Sequence, residues 1–265
     1  MKPLLRIEEL SVDFRLDTET VHAVDSVSLT VEEGETLAVV GESGSGKTAT
    51  ALSVLRLNPE PPCVYSGGGV FLGDRDVLKL SEKDLRGIRG NEVAMIFQDP
   101  MSSLNPLKRV GVQIGEVLRR HQGATRSEAR QAVLPALREA GIPDAERRAG
   151  QYPHQLSGGL RQRVMIAMAL VGRPKVLIAD EPTTALDVTV QAQILDLLVD
   201  LGQRHGMAIM LITHDLGVVA EVADRVVVMN RGQVVETGDV LDVFDRPADE
   251  YTRALLRATP KLELT

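Results

Sequence analysis

Aromatic residues are scarce in this chain: four Phe, three Tyr and no Trp among 265 residues. Cationic excess is missing as well, with 30 Lys and Arg against 37 Asp and Glu and a formal net charge of −7. Together these shortages exclude the usual equipment of a nucleic-acid binder, a basic footprint with a stacking platform. Long hydrophobic runs are absent. Stretches such as Met207 to Ile212 and Val226 to Met229 fall far short of the roughly 18–20 apolar residues of a spanning helix. The start, Met1 to Arg6, has no sustained apolar segment, so no secretory signal is expected there. Cysteine occurs once, at Cys63, which excludes an internal disulfide and a multi-cysteine metal site. Nothing near Cys63 would depress its pKa, so it reads as a loop or core filler. Sparse cysteine fits a reducing cytosol.

What is present is an ordinary globular composition, 43% hydrophobic and 25% charged. The length suits one large domain or a domain with an insertion. Leu4 to Leu10, Val21 to Val31 and Thr36 to Val40 are short, rich in Val and Leu, and partly alternating, so they read as strands. Leu37-Ala38-Val39-Val40 is continuously apolar, as in a strand buried on both faces of a parallel sheet. A glycine-rich loop and a helix over 47–57 follow. Residues 58–69 hold Pro59, Pro61, Pro62 and Gly67-Gly68-Gly69, and are expected as a loop. Ser81-Glu82-Lys83-Asp84 opens a short helix with capping-box character. Val93 to Phe97 reads as a strand.

Between residues 100 and 172 the pattern is almost entirely helical, with helices expected over 110–121, 125–140 and 159–172. Strand and helix then alternate: strands over 176–179, 208–212 and 225–229, helices over 188–204 and 216–223. That alternation implies a mostly parallel sheet with helices on its faces. The expected fold is therefore α/β. An α/β core of 1–99 and 173–238 carries N-terminal antiparallel strands and an inserted helical subdomain, 100–172. Residues 239–265 form a short helical extension, and 1–260 act as one domain.

The chemistry begins at Gly41-Glu42-Ser43-Gly44-Ser45-Gly46-Lys47-Thr48, which fits the P-loop pattern G-x-x-x-x-G-K-[ST]. Its glycines let successive N–H groups turn inward at phosphate oxygens. The helix that begins beside Lys47 and takes in Ala49 adds its positive end. Lys47 would reach the β- and γ-phosphates, and the Thr48 hydroxyl would take Mg²⁺. Val176-Leu177-Ile178-Ala179-Asp180-Glu181 is an apolar strand ending in two carboxylates, where ligands of open α/β sheets sit. Asp180 would hold Mg²⁺, and Glu181 would polarise the attacking water. Leu156-Ser157-Gly158-Gly159-Leu160-Arg161-Gln162-Arg163 reads as a Ser-Gly-Gly turn capping a helix, with free N–H groups and a hydroxyl suited to phosphate.

That eight-residue segment resembles the signature of ABC-type ATPases, L-S-G-G-x-x-Q-R, and the resemblance extends over nearly the whole chain. It implies that Gln98 is the Q-loop glutamine, touching Mg²⁺ and the water. It also implies that Thr184-Ala185-Leu186-Asp187 is the D-loop, with Asp187 near nucleotide, and that His214 is the switch histidine against the γ-phosphate. Phe14 matches the aromatic that stacks on adenine, often Tyr in this family. Histidines 22, 121, 154 and 205 read as surface or local structural residues.

Narrower likenesses appear in Gln98-Asp99-Pro100-Met101-Ser102-Ser103-Leu104-Asn105-Pro106 and in Tyr251-Thr252-Arg253-Ala254-Leu255-Leu256. Both resemble segments of ATPases from oligopeptide, dipeptide and nickel importers. Leu85 to Asn91 and Tyr152 to Leu156 resemble the first half of tandem-fused microcin C and peptide importer ATPases. The resemblance implies a peripheral ATPase on the cytoplasmic face of a bacterial inner membrane. Its partners would be a second, paralogous ATPase, two membrane-spanning permeases and an extracytoplasmic solute-binding protein, with no nucleic acid. ATP would lie between one subunit's P-loop and the other's Ser157-Gly158-Gly159. ATP and Mg²⁺ are the expected ligands, and the missing C-terminal cysteines argue against an iron–sulfur cluster. Exporter ATPases and soluble ABC proteins of DNA repair or translation share the nucleotide motifs and stand as the alternatives.

Overall fold

The computed structural model describes residues 3–99, 103–184 and 186–258. In chain order the strands are β1 (Leu5–Arg15), β2 (Thr20–Val31), β3 (Thr36–Val40), β4 (Cys63–Leu72), β5 (Arg75–Asp76), β6 (Val93–Ile96), β7 (Val176–Asp180), β8 (Ala208–Thr213), β9 (Arg225–Asn230) and β10 (Gln233–Asp239). The helices are α1 (Lys47–Val54), α2 (Glu82–Ile88), α3 (Val110–His121), α4 (Arg126–Glu139), α5 (Ala145–Ala149), α6 (Gly158–Leu170), α7 (Val188–His205), α8 (Leu216–Val222), α9 (Val240–Asp245) and α10 (Glu250–Ala258). The chain falls into two compact units, one built from residues up to 85 and from 208 onward, the other from 86–207.

The first unit holds an antiparallel sheet in the order β2-β1-β4-β5. Its inward residues are Leu5, Ile7, Leu10 and Val12 of β1, all buried. The spacing slips by one between Ile7 and Leu10, which a regular strand forbids because its side chains alternate faces. A bulge absorbs the extra residue. Glu9 has φ 46, and on the neighbouring strands Ser26 has φ 53 and Gly68 φ 71. The backbone N–H groups freed there are caught locally: Glu9 donates to Ser28 Oγ at 2.9 Å and Ser26 to Ser11 Oγ at 3.1 Å.

This bulge corrects one expectation. Residues 58–69 are not a loop throughout, because β4 begins at Cys63 and carries the glycine triplet inside the sheet. Gly69 pairs with Glu8 and Gly67 with Ser11, and the strands approach so closely that a Cβ on Gly68 would overlap the carbonyl oxygens of Glu8 and Glu9. Glycine is there for backbone approach, not for a loop. Cys63 is buried in the same strand, and burial raises its thiol pKa, which fits a core filler.

The first unit also pairs β3 in parallel with both β8 and β9, while β10 closes antiparallel on β9. β3 and β8 are buried along their whole length, as their continuous apolar runs require. Ala38, Val40, Val226 and Val228 pack against Leu216 and Val219 of α8 and against Val240 and Val243 of α9. β10 had no clear signal in the sequence. Its residues are half-exposed and mixed in polarity, and pairing with β9 makes the strand.

In the second unit β6 and β7 pair in parallel, register Val93↔Val176 to Ile96↔Ala179. The helices α3, α4, α5 and α6 bury Ile114, Leu118, Val133, Leu137, Val164 and Ile166. Thr125 caps α4 with a full capping box, its hydroxyl accepting from Glu128 N–H while the Glu128 carboxylate receives the Thr125 N–H. The expected α/β architecture, with N-terminal antiparallel strands and a helical segment, is what the structure shows.

Candidate functional site

In the first unit β3 runs out at Val40 directly into the phosphate-binding pattern, and α1 starts at Lys47. Three glycines of the loop have positive φ: Gly41 at 150, Gly44 at 80 and Gly46 at 100. Two of them are forced by neighbours. A Cβ on Gly41 would overlap Met229 O, and one on Gly46 would overlap Ala23 O. Gly44 differs, since nothing lies within 4 Å of its Cβ position. That is open space at the turn of the loop, with room for a ligand.

Lys47 is only 6% exposed. Its ammonium folds back over the loop, donating to Gly41 O at 2.7 Å and Glu42 O at 2.8 Å, with Ser45 Oγ at 3.4 Å. A buried cation set among loop carbonyls, beside a helix N-terminus, is a fit for phosphate. Thr48 follows it, exposed at the start of α1.

His214 stands exposed just beyond β8, in a tightly tied turn. Asp215 N–H donates to Thr213 Oγ1 at 3.0 Å, and Asp215 Oδ1 accepts from Gly217 N–H at 2.8 Å to cap α8. The residues on either side of the histidine fix its backbone and leave its ring outward. Phe14 is half-buried on β1, between Val21 and Cys63 in register.

In the second unit Asp180 closes β7 and is buried, 4% exposed. The next residue, Glu181, adopts φ 45, a left-handed conformation that costs about 1–3 kcal/mol in a non-glycine residue. Two donors hold its carboxylate: Gln98 Nε2 at 2.9 Å and Thr184 Oγ1 at 2.8 Å, both on Oε2. Gln98 and Glu181, 83 residues apart, were singled out separately in the sequence, and the fold brings them into contact. The Thr184 hydroxyl had no signal of its own beyond its place in the D-loop likeness.

Ser157 caps α6, its Oγ accepting from Leu160 N–H at 3.4 Å. Ser157 and Gly158 are exposed, so the free N–H groups of the helix start face outward. Gly159 allows α6 and α7 to meet: its Cβ would lie 2.7 Å from Val190 Cγ1. Arg161 reaches back to Pro153 O at 3.1 Å and Leu156 O at 3.0 Å, which braces the turn from behind. Asp187 caps α7, accepting from Val190 N–H at 3.0 Å.

The model of the family described as "ABC transporter" matches residues 24–184. The chain belongs to the ABC transporter family. It is one of the family's ATP-binding ATPases. Among curated relatives, the ATP-binding cassette is 56% identical over 262 residues to a peptidoglycan transport ATP-binding protein, YejF, of Agrobacterium fabrum, covering 99% of this chain and 48% of that one. It is 53% identical over 258 residues to the dipeptide transport ATP-binding protein DppD of Escherichia coli, covering 97% of this chain and 79% of the relative. The cassette thus spans about half the length of the first relative, 48%, and about four-fifths of the second, 79%. Among solved structures it is similar to the ATP-binding cassette MJ0796, a dimer in a post-hydrolysis state bound to ADP and Pi. The TM-score is 0.79 at 29% identity, over 89% of this chain and 98% of that one.

Three of the remaining histidines of the cassette make side-chain contacts. His22 meets Asp13 at 2.7 Å, His205 meets Glu139 at 2.7 Å, and His154 stacks on Tyr152 with centroids 5.7 Å apart. Pro100, Met101 and Ser102 of the Gln98 segment, Ala185 of the D-loop likeness and residues 259–265 of the expected C-terminal extension lie outside the described residues. One contact at the phosphate loop had no signal in sequence: Glu42 N–H donates to Tyr251 Oη at 3.0 Å, across 209 residues.

Proposed function

We propose that this cassette is the ATP-hydrolysing subunit of an importer for peptides or a related small solute such as nickel. The observation that carries the catalytic part is the Gln98–Glu181 hydrogen bond, which joins the proposed Q-loop glutamine to the proposed base. The strained backbone of Glu181 and the second donor, Thr184, fix where the carboxylate stands. In this reading Gly41 to Ala49 bind the phosphates, with Lys47 on the β- and γ-oxygens. Phe14 stacks on the adenine. His214 meets the γ-phosphate, and Asp187 lies near nucleotide.

The residues proposed for Mg²⁺ are Thr48 of the first unit and Asp180 and Gln98 of the second. Among the described residues no cluster of three or more His, Cys, Asp or Glu is placed to hold a metal. That suits Mg²⁺, which is bound through one or two carboxylates and substrate phosphates rather than an all-protein cage. When bound it neutralises charge on the β- and γ-phosphates.

Transport by a dimer is the second part of the proposal. The exposed Ser157-Gly158 helix start offers N–H groups to the ATP of a partner subunit, in the role an arginine finger plays elsewhere. The similar solved cassette is a dimer, and relatives that carry dipeptide and peptidoglycan transport in their names support peptide import over the exporter and DNA-repair alternatives. The second ATPase is a paralogue, and two permeases and an extracytoplasmic binding protein complete the importer. Residues 100–172 act as a helical subdomain inserted in a core of 1–99 and 173–238, with 239–265 as an extension.

Among the described residues no helix is long and apolar enough to cross a membrane, and we place the subunit peripherally on the cytoplasmic face of the inner membrane through its permeases. A groove of about 600 Å³ between α3, α4 and α5 is the surface for that contact. Arg109, Arg119, Arg126 and Arg130 line it, while its Glu116 and Glu146 are already paired with Lys108 and Arg138. The net positive rim fits an acidic cytoplasmic segment of a permease.

The test is Glu181→Gln. ATP binding by calorimetry should be nearly intact, and steady-state hydrolysis should fall at least about 100-fold. Unchanged turnover would remove Glu181 from the role of base.

A further inference from the structure

The segment Tyr251 to Leu256 was singled out by its likeness to importer ATPases, and the reading above gives it no task. Its first residues are held firmly. Glu236 of β10 accepts the N–H groups of Ala248 at 2.7 Å and Asp249 at 3.1 Å. Asp249 Oδ1 then accepts from Tyr251 N–H at 2.8 Å and Thr252 N–H at 3.4 Å, which caps the first turn of α10. Tyr251, Leu255 and Leu256 pack on the core that contains Val40, Leu216, Val219 and Val228. The helix is thereby anchored to the strand that leads into the phosphate loop.

From that anchor the Tyr251 hydroxyl reaches the N–H of Glu42 at 3.0 Å. The Glu42 N–H and the Gly41 carbonyl belong to one peptide unit. Its carbonyl end receives the Lys47 ammonium at 2.7 Å. One peptide is thus held at both ends, by the phosphate-binding lysine and by the C-terminal helix.

We propose that Tyr251 is a positioning residue for nucleotide binding, and that it keeps the Gly41–Glu42 peptide in place when Lys47 turns from it to phosphate. The proposal rests on the phosphate-loop reading. Lys47 has three N–H donors and already spends them on the loop, so phosphate must displace a loop carbonyl. Gly41 has no Cβ to hinder rotation of the peptide that follows it. With the Tyr251 hydroxyl on the N–H end, the peptide stays oriented after the lysine leaves. Without it, reordering the loop is charged against binding.

The experiment compares the full chain with Tyr251→Phe, which keeps the ring and its packing. Calorimetry with ADP and steady-state kinetics with ATP and Mg²⁺ are read together, with hydrogen exchange of the segment containing Glu42. Tyr251→Phe should raise the Kd for ADP and the KM for ATP about threefold to tenfold. The kcat should stay unchanged, and exchange should quicken at Glu42 but not in strands β3 and β8. Equal Kd and KM in the two proteins would overturn the proposal, as would a fall in kcat with KM unchanged. If the unaltered chain binds no ADP, the phosphate-loop reading itself fails.

Discussion

Two glycines from glycine-rich runs of the first unit, Gly44 and Gly68, share a positive φ and do opposite things. Gly44 and Gly68 have nearly the same φ, 80 and 71. Around Gly44 there is nothing within 4 Å of a Cβ, whereas at Gly68 a Cβ would overlap two backbone carbonyls. Gly44 leaves space at the turn of its loop, as Gly41 and Gly46 beside it do not, and Gly68 lets the β1–β4 bulge remove space. Positive φ alone therefore separates neither a binding loop from a sheet nor a ligand site from a packing site. What the position would meet decides it.

The same substitution at both glycines tests this. Left-handed strain of about 1–2 kcal/mol is common to both. Gly68→Ala should therefore cost about 3 kcal/mol or more, since the carbonyl overlap adds to it, and Gly44→Ala about 1 kcal/mol. Urea unfolding of the two variants reads the difference, and equal losses would break the comparison. Gly68→Ala should leave the nucleotide affinity of its folded fraction unchanged, while the Gly44 methyl, pointing into the open space, should weaken it.

The next effect in size comes from the cation inside the loop. Lys47→Ala should weaken ADP binding about 100-fold, because a charge-assisted contact to phosphate is lost from a site with little water around it. Titration calorimetry checks it, and near-normal binding would mean that the open space at Gly44 is not a phosphate site.

The contrast also marks what sequence could show. The strand, glycine-rich turn and helix over residues 36–54 were legible because lysine, threonine and a preceding apolar strand accompany the glycines in fixed spacing. Gly67-Gly68-Gly69 was misread because composition rules record glycine's freedom, while the bulge at Glu9 and Ser26 that needs it is made by pairing of distant strands. Asp180 and Glu181 were legible as carboxylates at a strand end. The strain at Glu181 and its grip by Gln98 and Thr184 were not, since both depend on tertiary contacts. Likewise β10, half-exposed and mixed, exists because β9 offers it an edge. No local pattern links Tyr251 to Glu42 across 209 residues.

A third way of fixing backbone, by a charged side chain in place of glycine, gives the smallest effect. Glu236 gathers the N–H groups that begin the path to Tyr251. Burial pushes its carboxyl up, but the Thr252 hydroxyl and the Ala248 and Asp249 amides, with Arg253 further off, outweigh that and hold it below its ordinary value. A carboxyl depressed in the folded chain contributes stability above its unfolded pKa and loses it as pH falls through the folded one. Glu236→Gln should therefore destabilise the protein by about 1 kcal/mol or less at pH 7. The gap between variant and parent should narrow as pH falls from the ordinary glutamate range through the lower pKa of the folded parent, where its carboxylate takes up a proton. Urea midpoints of both proteins from pH 7 to 3 measure it. A gap that stays constant across that range would show that shape at position 236, rather than charge, holds the start of α10.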